Sequence, residues 1–258
     1  MNVTGELATV TLRDPVFISD LHLTGNQPRT VRRFVRLVEE LGSQGHELVI
    51  LGDLFEYWAG DEEAAEGIGA VVTGTLRSLT QAGTPLYVMH GNRDMLLGDG
   101  FAQATGAVFL ADPCRTELGG VATLLAHGDA YCTLDTLYQA FRRRARDPLW
   151  QRLFLRSPLA LRRALMGQVR RRSEAGKKRM AAQIMDVTPE AIEQALRSAG
   201  VHRMIHGHTH RPDRHRLDLD GQDAERWVLP DWEFDAEPRR GGYLRVTGRE
   251  LAMVDLAV

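Results

Sequence analysis

Over the first ninety residues, short apolar runs alternate with segments in which apolar residues recur every three or four positions. The runs predict strands at 16–19, 47–51 and 85–89, and the periodic segments predict helices at 30–41 and about 62–81. Gly42 is predicted to end the first helix. This β-α-β-α-β order is typical of an α/β layered core.

The pattern changes in the second half of the chain. A strand predicted at 121–126 is followed, from 134 to about 184, by helical periodicity that is rich in arginine and carries no strand signal. A helix at 189–199 with Thr188 as N-cap, a short strand at 204–205, and strands within 227–232 and 243–256 complete the predicted elements. We therefore expect one domain, residues 1–258, whose α/β core is interrupted by a helical insertion at about 134–186.

Five of the predicted strands run directly into a small polar cluster. The clusters are Asp20-Leu21-His22, Gly52-Asp53, Gly91-Asn92-Arg93-Asp94, His127-Gly128-Asp129 and Gly207-His208-Thr209-His210. Ligands of open α/β sheets gather at the carboxyl ends of the strands, so we expect the five clusters to converge. Each one alone is compatible with a surface turn, but all five at strand exits favour a functional site.

The chemistry of these clusters indicates metal binding. They offer carboxylates, one amide and imidazoles but no thiolate, a set that suits Mn²⁺, Fe or Zn better than a soft-metal site. Seven donors are too many for one tetrahedral ion and suit two ions bridged by one carboxylate. Two such ions, about 3.5–4 Å apart, can clamp the attacking and leaving oxygens of a phosphoryl displacement.

The five motifs, spanning residues 20–210, resemble those of the calcineurin-like metallophosphoesterases. The resemblance implies a four-layer αββα sandwich with two metal sites that share Asp53. It gives the first metal Asp20, His22, Asp53 and His210, and the second metal Asp53, Asn92, His127 and His208.

Longer segments resemble one branch of that family over nearly the whole chain: SDLHL, GDLFEYWAGDE, HGNRDMLLG, HGDAYCTLDTLYQAFR, IMDVTPEAI and IHGHTHRP. The branch hydrolyses UDP-2,3-diacylglucosamine to UMP and 2,3-diacylglucosamine 1-phosphate in lipid A biosynthesis, usually with Mn²⁺. The resemblance therefore implies a UDP-linked diacyl sugar as substrate, two Mn²⁺ per chain and attack on the phosphorus nearer uridine. The catalytic residues that it implies are Asp53, Asn92, Arg93 and His127.

The substrate contacts of that branch carry over unevenly. Asn92, Arg93, Asp135 and His208 match, and Ser173 matches the serine that opens a Ser-x₃-Asn-x₂-Lys pattern. The next two positions of the pattern hold Lys177 and Met180 here, so the cation has moved, and Lys178 or Arg179 is an alternative contact.

Three residues next to the expected metal ligands, Arg93, Asp94 and Asp129, have other expected roles. Many relatives have a histidine where this chain has Arg93, and an arginine cannot act as a general acid at ordinary pH, so its stabilisation of the leaving group is expected to be electrostatic. Asp94 and Asp129 are expected either to orient metal ligands or to cap turns.

The charge of the chain is unevenly distributed. The formal net charge is −2, but residues 141–180 hold fourteen Lys/Arg and two acids, for +12, which leaves −14 for the remainder. The apolar residues of this segment alternate with the arginines, which is typical of a membrane-surface helix. We expect a lid that holds acyl chains on one side and faces an anionic membrane on the other. The protein is therefore expected to attach peripherally to the cytoplasmic face of the inner membrane. The alternative is a helical hairpin whose apolar face packs on the core while its arginines are merely solvated.

Other features narrow the function classes. The two cysteines form no CxxC pair and are expected to be reduced thiols, the N-terminus lacks a signal-peptide pattern, and no run of 18 apolar residues exists. Two rival functions remain: a metallophosphoesterase acting on nucleic acid or another nucleotide diphosphate, and a non-enzymatic peripheral membrane module. The apolar density around 149–166 favours lipid, so no nucleic-acid partner is expected.

Overall fold

The computed structural model describes residues 7–177 and 186–257, with side chains omitted from 170 to 177. The strands are β1 (Pro15–Ile18), β2 (Glu47–Leu51), β3 (Leu86–Met89), β4 (Val108–Leu110), β5 (Cys114–Leu118), β6 (Val121–Leu125), β7 (Arg203–His206), β8 (Asp213–Leu219), β9 (Gln222–Val228), β10 (Gly242–Thr247) and β11 (Glu250–Asp255). The α-helices are α1 (Pro28–Gln44), α2 (Gly67–Gln81), α3 (Asp99–Thr105), α4 (Thr136–Ala145), α5 (Pro148–Leu155), α6 (Leu159–Lys177) and α7 (Pro189–Ala199).

Within the described ranges these strands form two sheets. The first has the order β11-β10-β1-β2-β3-β4, and its strands β1 to β4 are parallel. The second has the order β5-β6-β7-β9-β8, with β6, β7 and β9 parallel. Parallel neighbours present their carboxyl ends at one edge, which places the loops after β1, β2 and β3 side by side, and likewise those after β6 and β7.

Alternate residues of the central strands lie in different hydrophobic cores, as the two-residue period of a strand requires. In β2, Leu48 and Ile50 pack with α1 and α2, whereas Val49 and Leu51 pack against the second sheet. All four side chains are fully buried. The first sheet is therefore covered by helices on one face and by a sheet on the other.

The second sheet repeats the arrangement in mirror order. Leu125 and Ile205 face the first sheet, and their neighbours Leu124 and Met204 pack with α7. The layers run helices, sheet, sheet, helix, which confirms the predicted four-layer αββα sandwich. Each fully buried side chain of this kind contributes about 1.5–3 kcal/mol relative to an exposed one.

Most predicted elements near the site are confirmed, with boundaries that differ by about one residue. The strands β1, β2, β3, β6 and β7 and the helix α7 lie where the pattern places them. The strands β4, β5 and β8 and the helix α3 were missed, because they are short or carry alternating charges rather than an apolar run.

One predicted helix boundary is wrong, and one predicted N-cap is in place but makes no capping hydrogen bond. Gly42 does not end α1, which continues to Gln44 and ends at Gly45, a residue in the left-handed conformation whose N–H donates to Leu41 O. A Cβ at position 42 would lie 3.2 Å from Leu79 Cδ1, so this glycine allows α2 to pack closely. Thr188 occupies the N-cap position of α7, but its hydroxyl bonds to Thr133 Oγ1 at 2.8 Å instead of capping the helix.

Three predicted segments are divided or shortened. The helix expected at 62–81 is a 3₁₀ helix, Asp61–Ala65, and α2, separated by the extended residue Glu66. The strand expected at 227–232 overlaps the structure only at 227–228, because β9 begins at Gln222 and the chain turns after Val228 so that Trp232 N–H donates to Asp20 O. The segment 243–256 is the hairpin of β10 and β11.

The predicted insertion contains α4, α5 and α6, which lie between β6 and α7 in the chain. Residues 178–185 of the predicted insertion lie outside the described residues. Among the helices that the structure describes, none is long and apolar enough to cross a membrane. Cys114 and Cys132 are both buried, and they are not joined in a disulfide.

Candidate active site

The two sheets bring the five predicted clusters to one edge of the sandwich. Within the first sheet, Asp20 N–H donates to Gly52 O at 3.1 Å, and His22 N–H donates to Asp53 O at 3.0 Å. Between the sheets, His208 N–H donates to Asp20 Oδ2 at 2.8 Å. These bonds join loops that are far apart in the chain, so the predicted convergence is confirmed.

The backbone at this edge is strained. Six non-glycine residues have positive φ among those that the structure describes, and five of them are predicted metal ligands: Asp20, His22, Asp53, His208 and His210. Such conformations are uncommon for residues with a Cβ and concentrate at functional sites. The sharp turns allow each side chain to leave its strand end toward the same centre.

The predicted ligands form two adjacent groups. Asp20, His22 and His210 offer ligand atoms that lie within 4.8 Å of one another, and so do Asp53, His127 and His208. The chemistry and the positions of these side chains decide whether the two groups fit a pair of metal ions.

Asp53 lies between the two groups. Its Oδ2 is 3.8 Å from His22 Nε2, and its Oδ1 is 3.7 Å from His127 Nε2. Asn92 joins the second group, with its Oδ1 3.1 Å from His127 Nε2. All seven predicted ligands are thus brought together, with Asp53 in the position of a bridging carboxylate.

Two observations show that the site fits divalent cations. The buried Oδ1 of Asp20 has no hydrogen-bond partner in the described residues, although a buried carboxylate oxygen normally has one. His22 Nε2 and His210 Nε2 lie 3.2 Å apart. Both observations fit oxygen and imidazole donors arranged around a cation.

An acceptor lies behind three of the imidazole rings. Glu56 Oε2 is 3.3 Å from His22 Nδ1, Asp231 Oδ2 is 3.5 Å from His210 Nδ1, and Leu51 O is 2.9 Å from His127 Nδ1. Of the three contacts, the one between His127 Nδ1 and Leu51 O has hydrogen-bond geometry, and the other two are ion-pair distances. Such partners favour the ring proton on Nδ1 and the Nε2 lone pair toward the cluster. Sequence reasoning missed Glu56, which lies within the second motif segment, and Asp231, which no motif marks.

The electrostatics of the cluster favour positive charge. Burial alone raises the pKa of Asp20, but His210, whose Nε2 lies 3.5 Å from Asp20 Oδ1, and the charges of His127 and His22 hold it well below its ordinary value. Burial alone lowers the pKa of His127, but Asp53, Asp129 and Asp20 raise it to about 9. Asp20 therefore stays ionised and contributes to the negative potential that a bound cation needs.

The contacts of Asp94 decide between its two expected roles, whereas those of Asp129 show a different role. Asp94 accepts from the N–H groups of Leu54 at 2.7 Å and Gly91 at 2.9 Å, so it caps the turns that carry Asp53 and Asn92. Asp129 accepts from the Tyr138 hydroxyl and from Arg142 Nε, both on α4. Neither carboxylate belongs to the two ligand groups.

The remaining predicted substrate residues lie at different distances from the cluster. Arg93 N–H donates to Asp53 Oδ1 at 2.8 Å. Asp135 is the N-cap of α4 and accepts from Tyr138 N–H, and the Tyr138 ring stacks near His208 with 6.1 Å between centroids. The side chains of Ser173 and Lys177 and the whole of Met180 lie outside the described residues.

Comparison with known proteins gives consistent matches. A family model described as calcineurin-like phosphoesterase matches residues 16–212, which include all five motifs. A UDP-2,3-diacylglucosamine hydrolase of Ralstonia nicotianae is 46% identical over 247 residues, covering 92% of this chain and 91% of its own. Proteins of the same name from Aromatoleum aromaticum and Bordetella pertussis are 45% and 42% identical, over 90% and 95% of this chain and 93% and 96% of their own.

Proposed function

This chain belongs to the calcineurin-like phosphoesterase family, and from that premise we propose that it hydrolyses UDP-2,3-diacylglucosamine to UMP and 2,3-diacylglucosamine 1-phosphate. The relatives that carry this activity in their names cover nearly the whole chain, insertion included. The observation that carries the chemistry is the pair of ligand groups that meet at Asp53.

We assign two Mn²⁺ ions to these groups. Asp20, His22, Asp53 and His210 would hold the first, and Asp53, Asn92, His127 and His208 would hold the second. When bound, two such ions lower the pKa of the attacking water and neutralise charge that develops on the phosphoryl oxygens.

Arg93 acts beside them as the phosphate clamp. Its backbone N–H donates to Asp53 Oδ1, and its guanidinium NH1 lies 3.6 Å from Glu56 Oε1, beside the cluster. A guanidinium is always charged and presents parallel N–H donors to two phosphate oxygens. It therefore stabilises the leaving phosphate electrostatically and donates no proton.

The sugar and acyl groups are assigned to the insertion. Asp135 lies at the start of α4, one turn before Tyr138, whose ring lies near His208. Ser173, Lys177 and Met180 are proposed to contact the glucosamine phosphate from the far end of the insertion, with Lys178 and Arg179 as alternative cations. We treat the insertion as a lid on a single domain.

The surface of the insertion supports a membrane role. Large apolar side chains are exposed along it, with Leu137 at 84% and Leu149 at 68%. Among the described apolar side chains of the insertion, Phe154 and Met166 pack against the core between the first sheet and its helices. The alternative of a hairpin with a covered apolar face does not account for this exposure, and the exposed Arg143 and Arg144 match an anionic leaflet.

Vesicle co-sedimentation tests this attachment. We expect the double variant Arg143→Glu/Arg144→Glu to lose binding to phosphatidylglycerol-containing vesicles. The control Arg32→Glu/Arg36→Glu makes the same charge change at exposed positions of α1. Equal loss of vesicle binding in both variants would show that binding depends only on the net charge of the protein. That result would contradict a lid that faces the membrane.

The proposed reaction is tested by product identification. Purified protein loaded with Mn²⁺ is incubated with UDP-2,3-diacylglucosamine in H₂¹⁸O, and the products are analysed by mass spectrometry. We expect ¹⁸O in UMP, because attack occurs at the phosphorus nearer uridine. Single-stranded DNA and a UDP-sugar without acyl chains serve as competing substrates. Faster turnover of either one would favour the rival phosphoesterase, and fewer than one Mn²⁺ per chain would favour a non-enzymatic membrane module.

A further inference from the structure

We propose that Glu56 is a positioning residue that couples the metal ligand His22 to the phosphate clamp Arg93. Glu56 Oε2 lies 3.3 Å from His22 Nδ1, and its Oε1 lies 3.6 Å from Arg93 NH1. The inference rests on the metal assignment of the proposed function, but not on the lipid substrate.

The backbone fixes Glu56 at this place. The loops after β1 and β2 continue the pairing of their strands, with Leu23 N–H donating to Leu54 O at 2.9 Å and Glu56 N–H donating to Leu23 O at 3.3 Å. The Glu56 side chain is 12% exposed and has little freedom to move away. One carboxylate is thereby held between side chains of two different loops.

Contact with Glu56 determines which nitrogen of the His22 imidazole carries the proton. A carboxylate beside Nδ1 holds the proton on that nitrogen and leaves the Nε2 lone pair toward Asp20 and Asp53. It also makes Nε2 a stronger donor to a cation. Loss of such a partner typically lowers metal affinity about 10- to 100-fold.

Contact with Arg93 sets the direction of the guanidinium. An arginine side chain has many rotamers, and ordering it on substrate binding costs free energy. An ion pair with Glu56 orders it in advance. We therefore expect removal of Glu56 to affect both metal binding and the binding of the diphosphate.

Asp231 provides a matched control, because it lies beside the imidazole of a predicted metal ligand but does not pair with the phosphate clamp. Its Oδ2 lies 3.5 Å from His210 Nδ1, and it pairs with Arg240, at 2.6 Å, instead of with a phosphate clamp. Asp231→Asn should weaken metal binding without changing KM at saturating Mn²⁺. Glu56→Gln should weaken metal binding to a similar degree and also raise KM severalfold.

The experiment combines calorimetric Mn²⁺ titration with steady-state kinetics on UDP-2,3-diacylglucosamine. Mn²⁺ affinity should fall about 10- to 100-fold in both variants. Of Glu56→Gln and Asp231→Asn, only Glu56→Gln should raise KM. The KM effects of Glu56→Gln and Arg93→Ala should be less than additive in the double variant. Unchanged Mn²⁺ affinity of Glu56→Gln would overturn the coupling. An unchanged KM of that variant, together with additive effects in the double variant, would also overturn it.

A measurement on the unsubstituted protein covers the case in which Glu56→Gln does not fold. In protein with ¹⁵N-labelled histidine, loaded with diamagnetic Zn²⁺, the His22 ring should carry its proton on Nδ1. A proton on Nε2 would refute the proposal. If the titrations and this spectrum agree with the proposal while UDP-2,3-diacylglucosamine is not hydrolysed, the substrate assignment fails and the role of Glu56 in metal binding stands.

Discussion

The hydroxyl of Tyr138 lies 2.5 Å from Asp129 Oδ2, to which it donates a hydrogen bond. Tyr138 belongs to α4 of the insertion, and Asp129 follows the proposed ligand His127 by two residues. Burial raises the pKa of the Asp129 carboxyl, but the charges of His127, Arg146 and Arg142 hold it well below its ordinary value. An ionised, buried carboxylate thus anchors the insertion beside the cluster of predicted metal ligands.

We expect Tyr138→Phe to destabilise the protein by about 1.5–3 kcal/mol, the usual contribution of a hydrogen bond to a charged group. Urea unfolding at pH 7 measures the change. Tyr57→Phe is the matched control, because that tyrosine is exposed, and its effect should stay within about 0.5 kcal/mol. Equal effects of the two substitutions would show that the Asp129 contact does not anchor α4.

Replacement of Asp53 tests the shared position in the cluster. Since Asp53 lies within 4 Å of His22 and His127, Asp53→Ala should remove a ligand from both groups and abolish Mn²⁺-dependent turnover. Metal analysis after Mn²⁺ loading should show fewer than two ions per chain. Asp14→Asn, at a half-exposed carboxylate that pairs with His46, should retain normal turnover. Turnover like that of the unsubstituted protein in Asp53→Ala would refute the two-metal assignment.

Two neighbouring arginines at the start of α6 should differ sharply in their effect on stability. The side chain of Arg162 is 2% exposed and donates to Ala59 O, Ser157 O and Glu62, whereas Arg163 is 37% exposed and pairs with Glu63 and Glu66. Arg162→Ala leaves buried carbonyl groups without a donor and should cost about 2–3 kcal/mol. Arg163→Ala removes surface ion pairs and should cost less than about 1 kcal/mol.

Thermal and urea unfolding of the two arginine variants provide the comparison. Limited proteolysis adds a local measure, and we expect Arg162→Ala to increase cleavage within 159–177 more than Arg163→Ala does. The opposite ranking would mean that α6 is held by its exposed ion pairs.

The sequence predicts the site better than it predicts the fold around it. The clusters that hold the seven predicted ligands could be identified because they directly follow apolar strands, and parallel strands bring such residues to one edge. The family resemblance then selects the seven among the polar residues of those clusters. Glu56 and Asp231 could not be identified as partners of the ligands, because their role depends on which imidazole they face. That relationship appears only when the loops after β1 and β2 pair and when residues 229–232 cross to Asp20.

Helix boundaries show the same limit. A glycine inside a periodic segment is an ordinary stop signal, but Gly42 lies against Leu79 of another helix, and this contact is invisible in a local pattern. The start of α1 is a second case. Its N-cap, Gln27, makes no capping bond with its side chain, and the cap is supplied by a residue about two hundred positions later.

That distant cap is Asp235, and it gives the chain a pH-dependent contact away from the metal cluster. Its carboxylate accepts from Arg29 N–H at 3.0 Å, from Thr30 N–H at 2.9 Å and from the Thr30 hydroxyl at 2.8 Å. Slight burial raises the pKa of Asp235, but these hydrogen bonds outweigh it and lower the pKa below its ordinary value. The ionised form is therefore the one that stabilises the fold.

A group whose pKa is lowered in the folded state stabilises the protein above its unfolded-state pKa and loses that contribution as the pH falls through the folded pKa. We expect Asp235→Ala to cost about 0.5–2 kcal/mol at pH 7, the usual value of an N-cap, and the difference from the unsubstituted protein to shrink below about pH 4. Urea unfolding at pH 7 and near pH 3.5 measures both values, with Asp223→Ala, at an exposed position, as control. A difference that stays constant between the two pH values would show that the charge of Asp235 does not contribute to the cap.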